Sequence, residues 1–449
     1  MKKILCLLLA GFLLSGCKNE SKYEDYVGGN PSGSFNPIME TENGYYANFD
    51  VVRLCLSFFD KTTGKAVFLC SKPECTHDGN EYCNATKSGV IYSGNICLNG
   101  DYIYFSGQRY NETDNTDYYA LYRTKTDGTE LTEVCCYYKI KRENDDGAWR
   151  SSYNNGRCLL VHRGYAVIPY LDFEDKSKHT DEYGFKTAVI NIEKGNVKIL
   201  PETDYKLSDT ENGQGYYYAY ENYLYYTVSN DFMCENKELY RYDFITGETE
   251  KISGVGKITS YIISDGKIFY TTPPDRNTPS KLYTYNPENG EKKDISDELK
   301  INGDDFVNAE LIYGGDYLIL TDSHYSSHST SYNPFTKNPD RVLIMTLDGK
   351  AVKEINLRDV IPTYKWIGLD NEIFSCELKY HKGKLYAVTM LSADDPRFNI
   401  PALEYCGYYE RVFCCSLEDI ISGTGEWSEP YDFYTLAENM EPIWEVYNA

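Results

Sequence analysis

Three thiols and an imidazole fall between residues 70 and 83, spaced Cys70-x4-Cys75-x-His77-x5-Cys83 in "LCSKPECTHDGNEYCNA". Three thiolates and one ring nitrogen make a sound tetrahedral set for zinc. With all four positions taken by protein, such an ion would be structural rather than catalytic. The spacing matches none of the usual zinc-finger patterns. In an exported protein the same thiols oxidise, and Cys75 and Cys83 are close enough in sequence to close a small loop. Zinc, disulfide and free thiol all stay open on the spacing alone.

Two other stretches carry reactive side chains. "TDSHYSSHSTSYNPF", residues 321 to 335, holds Asp322, His324 and His328. These could bind a metal or move protons, or simply belong to a polar Ser/Thr-rich loop. "SADDPRF", residues 392 to 398, brings Asp394, Asp395 and Arg397 together. Its carboxylates suit a glycosidase pair or a calcium ligand set, and equally a solvated turn. No GxSxG elbow, P-loop, HExxH or dinucleotide fingerprint accompanies them.

The chain opens "MKKILCLLLAGFLLSGCKNE". A positive start at Lys2 and Lys3 is followed by an apolar run, Ile4 to Leu14, too short to span a bilayer comfortably. It ends in Leu14-Ser15-Gly16-Cys17, which resembles the bacterial lipobox. That resemblance implies that residues 1–16 are a signal peptide and that Cys17 becomes the acylated mature N-terminus, anchoring the protein to the outer face of a membrane. The Gly-, Ser- and Asn-rich stretch 17–34 reads as a flexible tether, and 35–449 as the globular part.

Of the 15 cysteines, 13 remain besides Cys6 and Cys17, an odd number that leaves at least one thiol without an intramolecular partner. Cys135-Cys136 and Cys414-Cys415 are adjacent pairs on predicted strands. Neighbours on a strand point to opposite faces, and a bond within either pair would be strained, so both read as small buried hydrophobes. Net charge is −23, and removal of Lys2 and Lys3 takes it to −25. A chain this acidic is repelled by phosphates, which excludes nucleic acid and anionic head groups as natural partners. A soluble monomeric domain behind its anchor is expected.

The elements that must position these residues are strands. Tyrosine, with 45 copies, favours strands and half-buried faces. One unit recurs: strand, Gly or Asn turn, strand, variable loop, strand, Gly turn, strand. The clearest copy is 257–295, "KITSYIISDGKIFYTTPPDRNTPSKLYTYNPENGEKKDI". Six further copies start near residues 42, 99, 163, 221, 314 and 382. Four-stranded units at this spacing predict an all-β fold, a seven-bladed β-propeller, with six or eight blades open because the third and seventh units are irregular.

In such a ring the a–b and c–d turns emerge on one face, and the b–c and d–a connections on the other. The long insertions, 107–118, 171–184, 321–341 and 391–410 between b and c, and 71–90 and 139–156 between d and a, all belong to the second set. That predicts one working face, with the cysteine segment on it.

The lipobox, repeats such as "DGKIFY" and "LYRTKTDG", and "LCSKPECTH" at residue 69 together resemble uncharacterised surface lipoproteins of Gram-positive gut anaerobes that carry TolB-like propeller domains. The resemblance implies fold and location. That family has no established activity, so no catalytic residue is carried over. The expected role is non-catalytic binding of a glycan, peptide or protein. The rivals are a glycoside hydrolase or polysaccharide lyase on the same scaffold, and a structural scaffold of an envelope complex.

Overall fold

The computed structural model describes residues 23–26, 39–48, 56–75, 83–85, 96–141, 159–172, 183–207, 217–229, 237–272, 280–296, 309–322, 341–361, 376–392 and 408–430. These form seven antiparallel sheets, each built from consecutive chain. In blade 2 the strands a to d are Ile96–Asn99, Tyr102–Asn111, Thr116–Lys125 and Thr132–Lys141. Blades 3 to 6 repeat this order. Blade 1 pairs Gly44–Asn48, Leu56–Asp60 and Lys65–Phe68, with Glu40 bridging to Tyr45 in place of strand a. Blade 7 pairs Cys376–His381, Lys384–Ser392 and Tyr408–Ser416, with Ser428 bridging to Cys414 in place of strand d.

Apolar clusters between successive blades close the ring. Leu121 of blade 2 packs with Val161 of blade 3, and Leu160 of blade 3 with Leu224 of blade 4. Tyr225, Ile262 and Leu318 join blades 4, 5 and 6, and Ile344 meets Leu385 between blades 6 and 7. Tyr386 and Val412 of blade 7 then share a cluster with Tyr45 of blade 1 and Ile103 of blade 2. The chain is therefore a seven-bladed β-propeller. Among the described residues, no sheet borrows a strand from the other end of the chain.

Position in the blade sets burial. Strand a of blade 5, Ser260–Ser264, is buried throughout because a blade flanks it on each side, whereas strand d, Lys292–Asp294, is exposed. The repeated "LYR" has a physical reading at both of its copies. Leu121 and Leu239 enter interblade cores. Tyr122 and Tyr240 stack on the cross-strand rings of Phe105 and Tyr226. Arg123 and Arg241 lie 4.8 and 4.6 Å over the Tyr102 and Tyr223 rings. Blade 5 keeps the stacked pair, Tyr270 on Tyr283.

The turns repeat as well. Arg163-Gly164, Asp265-Gly266 and Lys382-Gly383 have positive φ at both positions, the two-residue hairpin geometry that matches strand twist. In four c–d turns an Asp or Asn carbonyl accepts the N–H of a glycine four residues on: Asp60 from Gly64, Asn191 from Gly195, Asp243 from Gly247, Asn286 from Gly290. The same Asp and Asn side chains accept further turn N–H groups.

Two expectations change. Strands b and c of blade 2 run on to Asn111 and from Thr116, so the insertion expected at 107–118 is a four-residue turn on an extended hairpin. Tyr23–Tyr26, counted with the tether, lies against the ring, with Tyr23 and Tyr26 buried in two successive interblade clusters.

Candidate metal centre

Strand d of blade 1 ends at Phe68, and the chain turns at once through Lys72-Pro73-Glu74-Cys75, closed by the Cys75 N–H on the Lys72 carbonyl at 3.2 Å. Pro73 occupies the second position of that turn, where its fixed φ is suited. The turn folds Cys75 back beside Cys70, and Cys83 joins them from a separate segment, so that the three Sγ atoms lie within 4.8 Å of one another. Cys83 is fully buried; Cys70 and Cys75 are half-buried. None of the three is in a disulfide.

The surroundings suit a thiolate. Burial pushes the Cys70 thiol up, but the N–H groups of Lys72 and Asn84 and the Cys75 and Cys83 thiols point at its sulfur, and together they hold it below the ordinary cysteine range. A disulfide would use two of the three sulfurs and leave the third in contact with it, open to exchange. A metal uses all three, and tetrahedral zinc asks for one more ligand. His77 lies outside the described residues, as do Cys17, His324, His328, Asp394, Asp395 and Arg397.

The cluster sits elsewhere than expected. Ser71 Oγ and Asn84 Nδ2 both donate to the Gly128 carbonyl, at 3.3 and 2.9 Å. Gly128 belongs to the c–d turn of blade 2, and a Cβ there would lie 2.8 Å from the Leu69 carbonyl. The site therefore rests on the rim, on a turn of the face opposite the long connections. The same contact recurs between c–d turns and the outer strands of preceding blades, Gly195 on Val134 and Gly247 on Lys198. Sheet twist swings each outer strand against the next blade's corner. Cys83-Asn84-Ala85 is also tied to blade 1, the Leu56 N–H donating to Ala85 at 3.0 Å. The segment that carries the three thiols is thus tied to both blade 1 and blade 2. Ser71, Asn84 and Gly128 were not singled out by sequence; the only signal was the glycine of the "TDGT" turn.

Cys97, Cys135, Cys136, Cys414 and Cys415 behave as packing. Burial pushes Cys97 up to about 12 and Cys135 up to about 11. Cys135 and Cys136 face the clusters on opposite sides of blade 2, and Cys414 and Cys415 those on opposite sides of blade 7.

No family model matches the chain, and no curated protein is significantly similar to it. Solved structures are similar in fold. A prolyl endopeptidase is 13% identical, with 92% of this chain and 52% of that one covered and a TM-score of 0.45. The β-propeller domain of the Trilobed protease from Pyrococcus furiosus is 10% identical, with 72% and 82% covered and a TM-score of 0.40. TolB from Acinetobacter baumannii is 14% identical, with 78% and 75% covered and a TM-score of 0.28. The chain spans about half the length of the prolyl endopeptidase and of an acylaminoacyl peptidase that it also matches.

Proposed function

We propose that this propeller is an extracytoplasmic lipoprotein, acylated at Cys17, that binds a glycan, peptide or protein partner without transforming it. It is related by this reading to the surface lipoproteins whose repeats it resembles. The observation that carries the proposal is the unequal length of its connections. The described a–b connections have two or three residues, as at 100–101, 163–164 and 314–316. The b–c and d–a connections on the other face include 142–159, 323–340, 357–375 and 393–407. A rigid scaffold elaborated on one face is the usual way to present a binding surface. Zinc at Cys70, Cys75 and Cys83, with His77 as the fourth ligand, would have a structural role at the rim.

The test is a glycan and peptide array probed with anaerobically purified ectodomain, beside a variant in which 323–340 is replaced by a two-residue turn. Ligands that bind the native chain at least tenfold more tightly than the variant, and are recovered unaltered, support the reading. Binding that survives the replacement of 323–340 and of 393–407 overturns it. A ligand recovered cleaved would favour the hydrolase or lyase instead.

A further inference from the structure

Tyr23–Tyr26 is held by four kinds of contact, all from the a–b side of the ring. The Asn99 side chain pairs with both backbone groups of Glu24, accepting its N–H and donating to its carbonyl, each at 3.0 Å. The same Nδ2 reaches the Val161 carbonyl, tying blade 2 to blade 3 beneath the strap. His162 Nδ1 accepts the Tyr26 N–H at 2.9 Å, while Nε2 donates to the Glu221 carbonyl at 2.6 Å. The Arg163 guanidinium grips the Asp25 carboxylate in a two-pronged pair, at 2.6 and 2.8 Å. Finally, Tyr23 packs among Tyr104 and Val161, and Tyr26 among Leu160, Leu224 and Tyr226. Asn99, His162 and Arg163, with Glu221, stand at the a–b turns of blades 2, 3 and 4.

We propose that this strap fixes which face of the propeller meets the membrane, the a–b turns toward the lipid and the long connections away from it. The inference rests on acylation of Cys17. Only Lys18 to Lys22 separate Cys17 from Tyr23, so fully extended chain carries the acyl group roughly 20 Å from the strap. Strand b of blade 2 alone, Tyr102–Asn111, covers about 30 Å between the two faces. The anchor is too short to bring the far face to the bilayer. A tether leaving from a free 17–34 segment would have imposed no such choice.

Energy transfer to a head-group dye tests this on the full acylated chain in phosphatidylcholine vesicles. Donor fluorophores are placed by a non-canonical residue at Lys267, beside the a–b turn of blade 5, and at Glu112, in the b–c turn of blade 2. Transfer several-fold stronger from position 267 than from 112 is the expected result. Asp25→Arg with Tyr26→Ala should bring the two toward equality, and Asp25→Arg with Arg163→Asp should restore the difference. Equal transfer in the native vesicle-bound chain, or stronger transfer from 112, overturns the inference while leaving the anchor intact. A chain whose N-terminal peptide carries no acyl mass and which does not float with the vesicles overturns the anchor, and the inference with it.

Discussion

Gly128 has φ +76°, and the backbone of Leu69 and Cys70 lies where its Cβ would be. Gly128→Ala therefore combines a left-handed alanine with a clash against a second blade. Thermal unfolding should show a loss of about 1–3 kcal/mol, with less retained metal, because the turn and the thiols share one seam. Cys83→Ser should drop zinc from one per chain to near zero in native mass spectrometry of anaerobically purified protein, whereas Cys97→Ser should leave it unchanged. Masses two hydrogens short and free of metal would identify a disulfide instead. At this scale the sequence was informative about which atoms meet, since Cys70, Cys75 and Cys83 converge as their types suggested. It was silent about where they meet, because the rim contact depends on the twist of an outer strand rather than on any residue within the segment.

Among elements, the meeting of blade 7 with blade 1 and the strap under blades 2 to 4 both hold ion pairs. Burial pushes the Glu40 carboxyl up, but the Tyr386 hydroxyl, Lys61 at 2.9 Å and Lys384 outweigh it and hold it at about 2. A carboxyl lowered on folding stabilises fully above its unfolded value and loses that contribution as pH falls. The seam should thus weaken between about pH 4.5 and pH 2, by on the order of 2 kcal/mol allowing for the water that still reaches the site. Denaturant melts of the native chain and of Glu40→Gln should converge at the acid end of that range. In the strap, burial of His162 lowers its affinity for a proton and Arg163 lowers it further, against the Glu221 carbonyl and Asp25, which favour the charged form. An imidazolium cannot accept the Tyr26 N–H. Strap docking is full above about pH 6.5 and weakens as pH falls below it, which amide exchange at Tyr26 would register. His162→Ala should abolish that pH dependence. The blades were legible because "LYR", "DG" and alternating apolar runs recur at fixed places in the strand order. The strap was not, because four residues of "YEDY" have no period of their own and their partners Asn99 and His162 are far along the chain.

For the whole molecule, the described residues close the ring by side chains rather than by a shared sheet, which makes its ends unprivileged. A circular permutant opened within 300–304, with residue 449 joined to 23 by a flexible linker, should fold and melt within a few degrees of the native chain, since no described ladder is cut. A permutant that stays unfolded would show that strand pairing across the ends matters after all. The strap has a mechanical consequence for the same ring. From Tyr26 the chain goes on to Met39, where blade 1 begins, so a pull on the N-terminus is intercepted before it reaches the first blade. Load passes through Asp25–Arg163 and Glu24–Asn99 into blades 2, 3 and 4, part-way round the circle, and the Glu40–Tyr386 seam lies outside its path. Tension along the tether would have to shear the strap off three blades before it could begin to peel blade 1 from blade 7.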